Sequence, residues 1–450
     1  MTRAATTAGR PTPHRSSGRR PDRFRPPAWA WQVLAVYAAS RVLATTALLI
    51  ARHHQAESFP GWHGDPRPPY GVFAARWWDG WWYERIWTEG YPGELPLADG
   101  SGALPAGAVD LNAWAFFPLY PMLVRLLTDA LALLGIEATW LVTAPIVSLM
   151  AGAAAMLVIH RTVVVGAPEA TARHPWLPLA TVATLALWPS AVVLQTGYTE
   201  ALALLLVATS LLLIMRRRYG WAMLAVALLG LTRAVALPMA VVVAVHLVLR
   251  WREVPDGAAR PGRAEVASGL GLLAVCGISG GLWPLVAGWV TGRGDAYLAT
   301  QAAWRPESGV SPFQGWERLA TFSGVGVALA LGAVALVLAL LWLARPWRSA
   351  ASAALLRPEP WVWCAAYLLY LAAVTDVISS QLRFLLLAFP LAVPLLLATP
   401  MALTRAGEPR AWVTRVWVGT LLLGLAVAQV AWVWTVWMQV LGEETFLKAP

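Results

Sequence analysis

Residues 114–134 read WAFFPLYPMLVRLLTDALALL. The run is long and apolar enough to suggest a membrane span, and whether it crosses decides on which side every later loop falls. Arg125 and Asp129 lie near its middle, where each charge costs at least ~2.5 kcal/mol on insertion scales. Pro118 and Pro121 interrupt its start. Counting it as a span would also put Arg216, Arg217 and Arg218 on the outer face, against the positive-inside bias. The segment is therefore expected to be an interfacial or partly inserted helix on the outer side.

Working outward, the chain is 58% hydrophobic and only 13% charged over 450 residues. A soluble domain carries about 25% charged residues, so the composition is that of a polytopic membrane protein. Apolar runs at 29–51, 139–161, 176–195, 198–215, 220–232, 234–250, 266–290, 320–344, 361–376, 383–400 and 415–440 predict an all-α bundle of about eleven transmembrane helices. Arginines at 161 and 173, 216–218, 250–263, 345–357 and 405–415 fall in alternate loops, which places those loops in the cytoplasm, the N-terminus inside and the C-terminus outside. Two outer loops are then large, 52–138 and 291–319. The runs at 220–232 and 234–250 are short and broken at Thr232-Arg233, the form that lines sites rather than lipid.

The net charge of +10 does not point to nucleic acid. Arg3, Arg10, Arg15, Arg19, Arg20, Arg23 and Arg25 crowd a Pro/Arg/Ser-rich tail ahead of the first span. That is the pattern of a disordered cytoplasmic anchor on an anionic leaflet. Cys276 and Cys364 sit in or beside apolar runs and are read as packing residues. His53, His54 and His63 lack a metal-site pattern, and there is no Walker lysine motif or His-Glu-x-x-His pair. Gly269-x-Gly271 falls inside a span rather than after a strand. Neither a nucleotide donor, a metal nor a cofactor is indicated.

The chemistry-bearing residues gather on the expected outer side. Asp79 stands in Arg76-Trp77-Trp78-Asp79-Gly80-Trp81-Trp82-Tyr83. On a helix over 77–87 the four tryptophans share one arc, suited to the headgroup layer, with Asp79 and Tyr83 on the neighbouring arc facing protein. Asp79 is either a helix cap or a catalytic carboxylate. Asp110, Glu200 after Tyr198-Thr199, Arg233 at the span break, Asp295, Arg305 and Arg383 complete the outer set. Singly each reads as a solvated or snorkelling residue; together they offer arginines for an anionic headgroup near a carboxylate base. Arg41, midway along the first span, is expected to face the bundle interior and pair with a carboxylate or carbonyl.

The order of Asp79 in its aromatic cluster, Gly90-Tyr91-Pro92, Phe116-Phe117-Pro118-Leu119-Tyr120-Pro121, Tyr198-Thr199-Glu200-Ala201-Leu202, Leu231-Thr232-Arg233, Gln301-x-x-Trp304 and Arg383-Phe384 resembles the bacterial relatives of the PIG-V family, the GPI mannosyltransferase II type of GT-C glycosyltransferase. The resemblance covers about residues 30–400. It implies a bacterial plasma-membrane enzyme with an extracytoplasmic active site and a GT-C-like bundle with interfacial helices in the first outer loop. It implies a polyprenyl-phosphate sugar donor, usually mannose, a glycan, lipid or protein acceptor, and Asp79 as base. Tyr83, Tyr120, Glu200, Arg233, Gln301, Trp304 and Arg383 are then candidate donor- or acceptor-binding residues. The match at Thr232-Arg233 is loose, because Ala234-Val235-Ala236 follows where a polar or glycine-containing stretch is expected. The chain divides into a tail (1–28), a catalytic membrane module (29–345) and C-terminal helices (346–450). A transporter or flippase of polyprenyl-linked sugars, or a non-catalytic subunit of a cell-envelope assembly, are the alternatives.

Overall fold

The computed structural model describes residues 27–55, 68–102, 104–252, 261–305, 311–315, 332, 335, 355–375, 380–398 and 411–438. The expected span at 320–344 apart from residues 332 and 335, most of the tail at 1–28, and His63 lie outside the described residues. Among those described, regular structure is helical except for one isolated antiparallel bridge between Leu97 and Val109.

Four helices are long and apolar enough to cross a membrane: α1 (Ala28–His53), α5 (Trp140–Gly166), α11 (Arg263–Thr291) and the segment Ala411–Trp437. Shorter apolar helices stand between them, α7 (Leu177–Ala186), α8 (Glu200–Met215) and α9 (Tyr219–Gly230), together with α10 (Ala236–Arg252) and Pro358–Val374. Among the described residues, several of the expected spans are shorter than a full crossing or interrupted. Helix α5 lies along α8. Its inner face includes Ala144, Ser148, Ala151, Gly152 and Ala155, small residues at helical spacing that let backbones approach closely. A Cβ on Gly152 would fall 2.2 Å from the Tyr37 hydroxyl oxygen.

Two expected spans are broken, and each break is accounted for by side chains. The run 176–195 ends as an α-helix at Ala186, turns through Leu187-Trp188-Pro189-Ser190 and resumes as a short 3-10 helix over Ala191–Gln195. Pro189 has no N–H and cannot continue the ladder. Arg41, buried in α1, donates to the carbonyls at both edges of the break, 2.7 Å to Ala186 O and 2.5 Å to Ala191 O. The Gln429 amide reaches Trp188 O at 3.0 Å. Arg41 thus pairs with carbonyls, as its mid-span position requires.

The run 383–400 is similarly divided into Gln381–Phe384, a 3-10 stretch Leu385–Leu391 that kinks at Ala388, and Ala392–Leu397. Pro390 and Pro394 remove two donors there. The loosened carbonyls find side chains instead: Trp188 and Ser190 donate to Leu382 O (2.7 and 2.9 Å), Tyr367 to Phe384 O (2.9 Å) and Trp363 to Leu387 O (2.7 Å). One broken segment therefore fixes the other, and with it the direction of Arg383.

The 114–134 segment forms a 15-residue amphipathic helix, α4 (Leu119–Leu133), with Tyr120, Val124 and Thr128 buried. Arg125 is on the exposed side, 3.3 Å from Trp87 O. At about 1.5 Å per residue such a helix is roughly 22 Å long, short of a ~30 Å hydrocarbon core.

Candidate active site

Helix α3 begins at Asp79 and runs to Glu89; α2 (Tyr70–Ala75) precedes it across Arg76-Trp77-Trp78. Trp78 adopts φ +50°, a conformation that costs a bulky residue strain. The turn is pinned from several sides. Trp140 donates to Ala75 O (2.9 Å), Gly197 N to Ala74 O (3.0 Å) and Tyr198 OH to Trp77 O (3.2 Å). Gly80 and Gly197 both press on Ala75: a Cβ on either would lie 2.4 or 2.5 Å from its carbonyl oxygen. Two glycines thus bring the Asp79 turn against Gly197-Tyr198-Thr199-Glu200, the lead-in to α8.

Four charges meet there. Arg383 Nη1 is 2.5 Å from Asp79 Oδ2, and its Nε is 3.2 Å from Glu200 Oε1. Arg233, in the connector between α9 and α10, places Nη1 2.5 Å from the same Glu200 oxygen and 3.2 Å from Thr199 Oγ1. The ring of Phe384 lies under both guanidiniums, 4.7 Å from Arg233 and 5.0 Å from Arg383. The group is formally neutral. Its corners differ in access: the Glu200 and Arg383 side chains are 1% and 6% exposed, those of Arg233 and Asp79 20% and 29%. A ligand therefore meets Asp79 and Arg233 first. Glu200 Oε2 is buried without a hydrogen-bond partner among the described residues.

Tyr83, one turn along from Asp79, donates to Thr199 Oγ1 at 3.4 Å. Burial and then the Asp79 charge hold its phenol well above its ordinary pKa. The remaining candidates stand apart from the charges. Tyr120 donates to Ala144 O (2.8 Å), lies 2.9 Å from Ser148 Oγ and meets Tyr83 edge to face. Trp304, at the end of α12 (Ala296–Ala303), packs edge-on against Trp82 and Phe116, its Nε1 buried without a partner among the described residues. Gln301 lies on α12, one turn along from Tyr297. Asp295 pairs with Arg293 in the open.

Three sequence expectations are revised. Asp79 is the first residue of α3 and Trp78 holds the cap position, with no side-chain cap bond, so the carboxylate is engaged by Arg383 rather than by the helix end. Trp77 and Trp82 are buried, not arrayed on a lipid-facing arc: Trp77 donates to Trp437 O (2.8 Å), and Trp82 stacks on Phe116. The helix starts two residues later than expected, which rotates Trp77 out of register with Trp81. The sequence reading missed Thr199, Tyr198 and Phe384 as site members, although Thr199 and Phe384 directly adjoin Glu200 and Arg383 and Tyr198 stands two residues before Glu200 in the motifs above.

No family model matches the chain, and no curated protein matches it. A solved structure it is similar to is the Archaeoglobus fulgidus oligosaccharyltransferase tethered by a disulfide bond to an acceptor peptide containing the NVT sequon. The identity is 12% and the TM-score 0.41, over 93% of this chain and 60% of that one. The chain thus spans about 60% of that protein's length.

Proposed function

We propose that this chain is a membrane glycosyltransferase of the GT-C kind, moving a sugar, mannose in the first instance, from a polyprenyl-phosphate donor to an acceptor hydroxyl on the extracytoplasmic face with inversion at the anomeric carbon. The observation that carries this reading is the partly open Asp79 carboxylate, held beside two guanidiniums that share one aromatic platform.

In this scheme the prenyl chain lies in lipid and the phosphosugar enters at the Arg233–Asp79 corner. Its phosphate competes with Glu200 and Asp79 for guanidinium N–H groups, and planar guanidinium suits phosphate bidentately. Transfer of Arg383 toward the phosphate releases Asp79 to act. Asp79 takes the proton of the acceptor hydroxyl as that oxygen bonds to the anomeric carbon. The bond from that carbon to the phosphate oxygen breaks on the opposite face, and the arginines balance the charge left on the phosphate. General-base help is worth roughly two to four orders of magnitude in rate. Glu200 keeps both guanidiniums oriented, and Tyr83 borders the base through Thr199. No step calls on a metal or cofactor. The module at 29–345 holds Asp79, Glu200 and Arg233, while the helices at 346–450 supply Arg383, so the catalytic group draws on both.

The test is the purified chain in liposomes with radiolabelled polyprenyl-phosphate mannose and a bacterial membrane extract as acceptor source. The reading expects label in a new glycan with inverted linkage. Donor movement between leaflets without transfer would replace it with a transporter.

A further inference from the structure

A cavity of about 500 Å³ lies beside α3. Its inner wall includes Trp82, three residues along α3 from Asp79 and hence about 4.5 Å further along the helix axis. The outer wall is residues 90–92, 94–96 and 110–113, the two arms of one loop. That loop is a braced structure: Ala98 N bonds Ala108 O and Asp110 N bonds Pro96 O, both at 2.8 Å. It is anchored to the bundle where Trp114 Nε1 donates to Pro92 O (3.0 Å), Trp283 Nε1 to Trp114 O (3.1 Å) and Asn112 Nδ2 to Thr300 Oγ1 (3.0 Å).

The lining combines aromatic rings, Trp82 and Tyr91, with Arg85, Glu89, Glu94 and Asp110. The volume lies in the roughly 300–1,000 Å³ range of small-ligand sites. The carboxylates are not a bare acidic field. Glu89 is paired with Arg85 at 3.1 Å, and Asp110 Oδ1 accepts the Leu111 N–H at 2.7 Å. Of the charged residues lining the cleft, only Glu94, which is exposed, has no ion-pair or hydrogen-bond partner among the described residues. A cationic peptide would need free carboxylates to bind, and an anionic headgroup would meet more acidic than basic side chains. A hydroxyl both donates and accepts, so a ring of hydroxyls can bond carboxylate oxygens and the guanidinium together. The weakly positive C–H face of a sugar suits the negative face of an aromatic ring.

We infer that this cleft is the acceptor site and that it takes a neutral saccharide end rather than a peptide. The inference rests on the glycosyl-transfer reading for the word acceptor, but the binding it asserts does not. The sugar bound between Glu94 and the aromatic wall presents one hydroxyl toward the start of α3, where Asp79 stands.

The test uses the full chain in nanodiscs without donor, with mannobiose as probe and saturation-transfer NMR as readout, against pentalysine as the peptide control. Binding with Kd on the order of 1 mM is expected for the disaccharide, for wild type and for Asp79→Asn alike, and none for pentalysine. Glu94→Ala weakens it about tenfold, the loss of a hydrogen bond to a charged group. Leu111→Trp, at an exposed position of the cleft wall, fills the space and abolishes it. Disaccharide binding that neither variant alters overturns the inference, as does preference for pentalysine. If the cleft binds sugar but no transfer from the lipid donor occurs, the cleft stands and the transferase reading falls. If transfer occurs and the cleft variants leave acceptor KM unchanged, the transferase reading stands and the cleft falls.

Discussion

Arg383→Gln separates the structural from the chemical role of the charge group. The guanidinium holds Asp79 at 2.5 Å and stands 3.2 Å from Glu200. After the substitution Glu200 retains Arg233 at 2.5 Å, so the carboxylate left without a partner is Asp79. Breaking a fully buried pair costs about 3–5 kcal/mol. The Asp79 side chain is 29% exposed, and water reaching it reduces the expected loss to about 1–2 kcal/mol. That corresponds to a few degrees in melting temperature, read by fluorescence-detected size exclusion after heating in detergent. Asp79→Asn leaves Arg383 with Glu200 and should cost less. In the double variant Asp79→Asn/Arg383→Gln neither unpaired charge remains, and a coupling of about 1 kcal/mol should return part of the stability. Activity should not follow: Arg383→Gln is expected to raise donor KM and lower kcat by about 10²–10³-fold, and the double variant to stay inactive. Single-variant effects on melting that add within ~0.3 kcal/mol would refute the ion pair; restored turnover in the double variant would refute its role in transfer.

Other outcomes follow from the same geometry. Arg41→Leu takes the guanidinium donor from the carbonyls of Ala186 and Ala191, leaving Ala186 O only the 3.4 Å bond from Gln429, and should cost about 1.5–3 kcal/mol for each lost charged hydrogen bond, seen as reduced yield and an earlier melt. Gly80→Ala drives a Cβ to 2.4 Å from Ala75 O, a backbone atom that cannot swing aside, and should abolish both stable expression and transfer; Gly93→Ala, with open space around it, should express as wild type. Glu359→Gln removes the carboxylate 2.7 Å from His246 Nδ1 at the other end of α10 and should lower the melting temperature while leaving donor KM unchanged, since it lies far along the helix from Arg233.

What the sequence disclosed followed from strong local constraints. Arg41 in the middle of an apolar run had to find an internal partner, and it did. Arg125 and Asp129 marked the 114–134 segment as short of a span, and its helix is short. The charged residues of the site could be named one by one, because so few interrupt the apolar runs. Their pairing could not be read, since it depends on Gly197 closing on Ala75 and on Trp188 and Ser190 holding the Leu382 carbonyl, contacts between segments more than a hundred residues apart. Hydropathy alone hid the interruptions within two of the expected spans: Pro189, Pro390 and Pro394 were present as breakers inside runs that still averaged as apolar. The burial of Trp77 and Trp82 was missed because indole suits both the headgroup layer and a packed wall, and only the Trp78 backbone turn decides between them.

The most direct measurement is turnover of Asp79→Asn in liposomes supplied with polyprenyl-phosphate mannose, at matched amounts of folded protein. The variant removes a proton acceptor while keeping shape and, through Glu200, most of the site's packing. Loss of transfer by two orders of magnitude or more is predicted, with mannobiose binding retained. Turnover at the wild-type rate would contradict the assignment of Asp79 as the base.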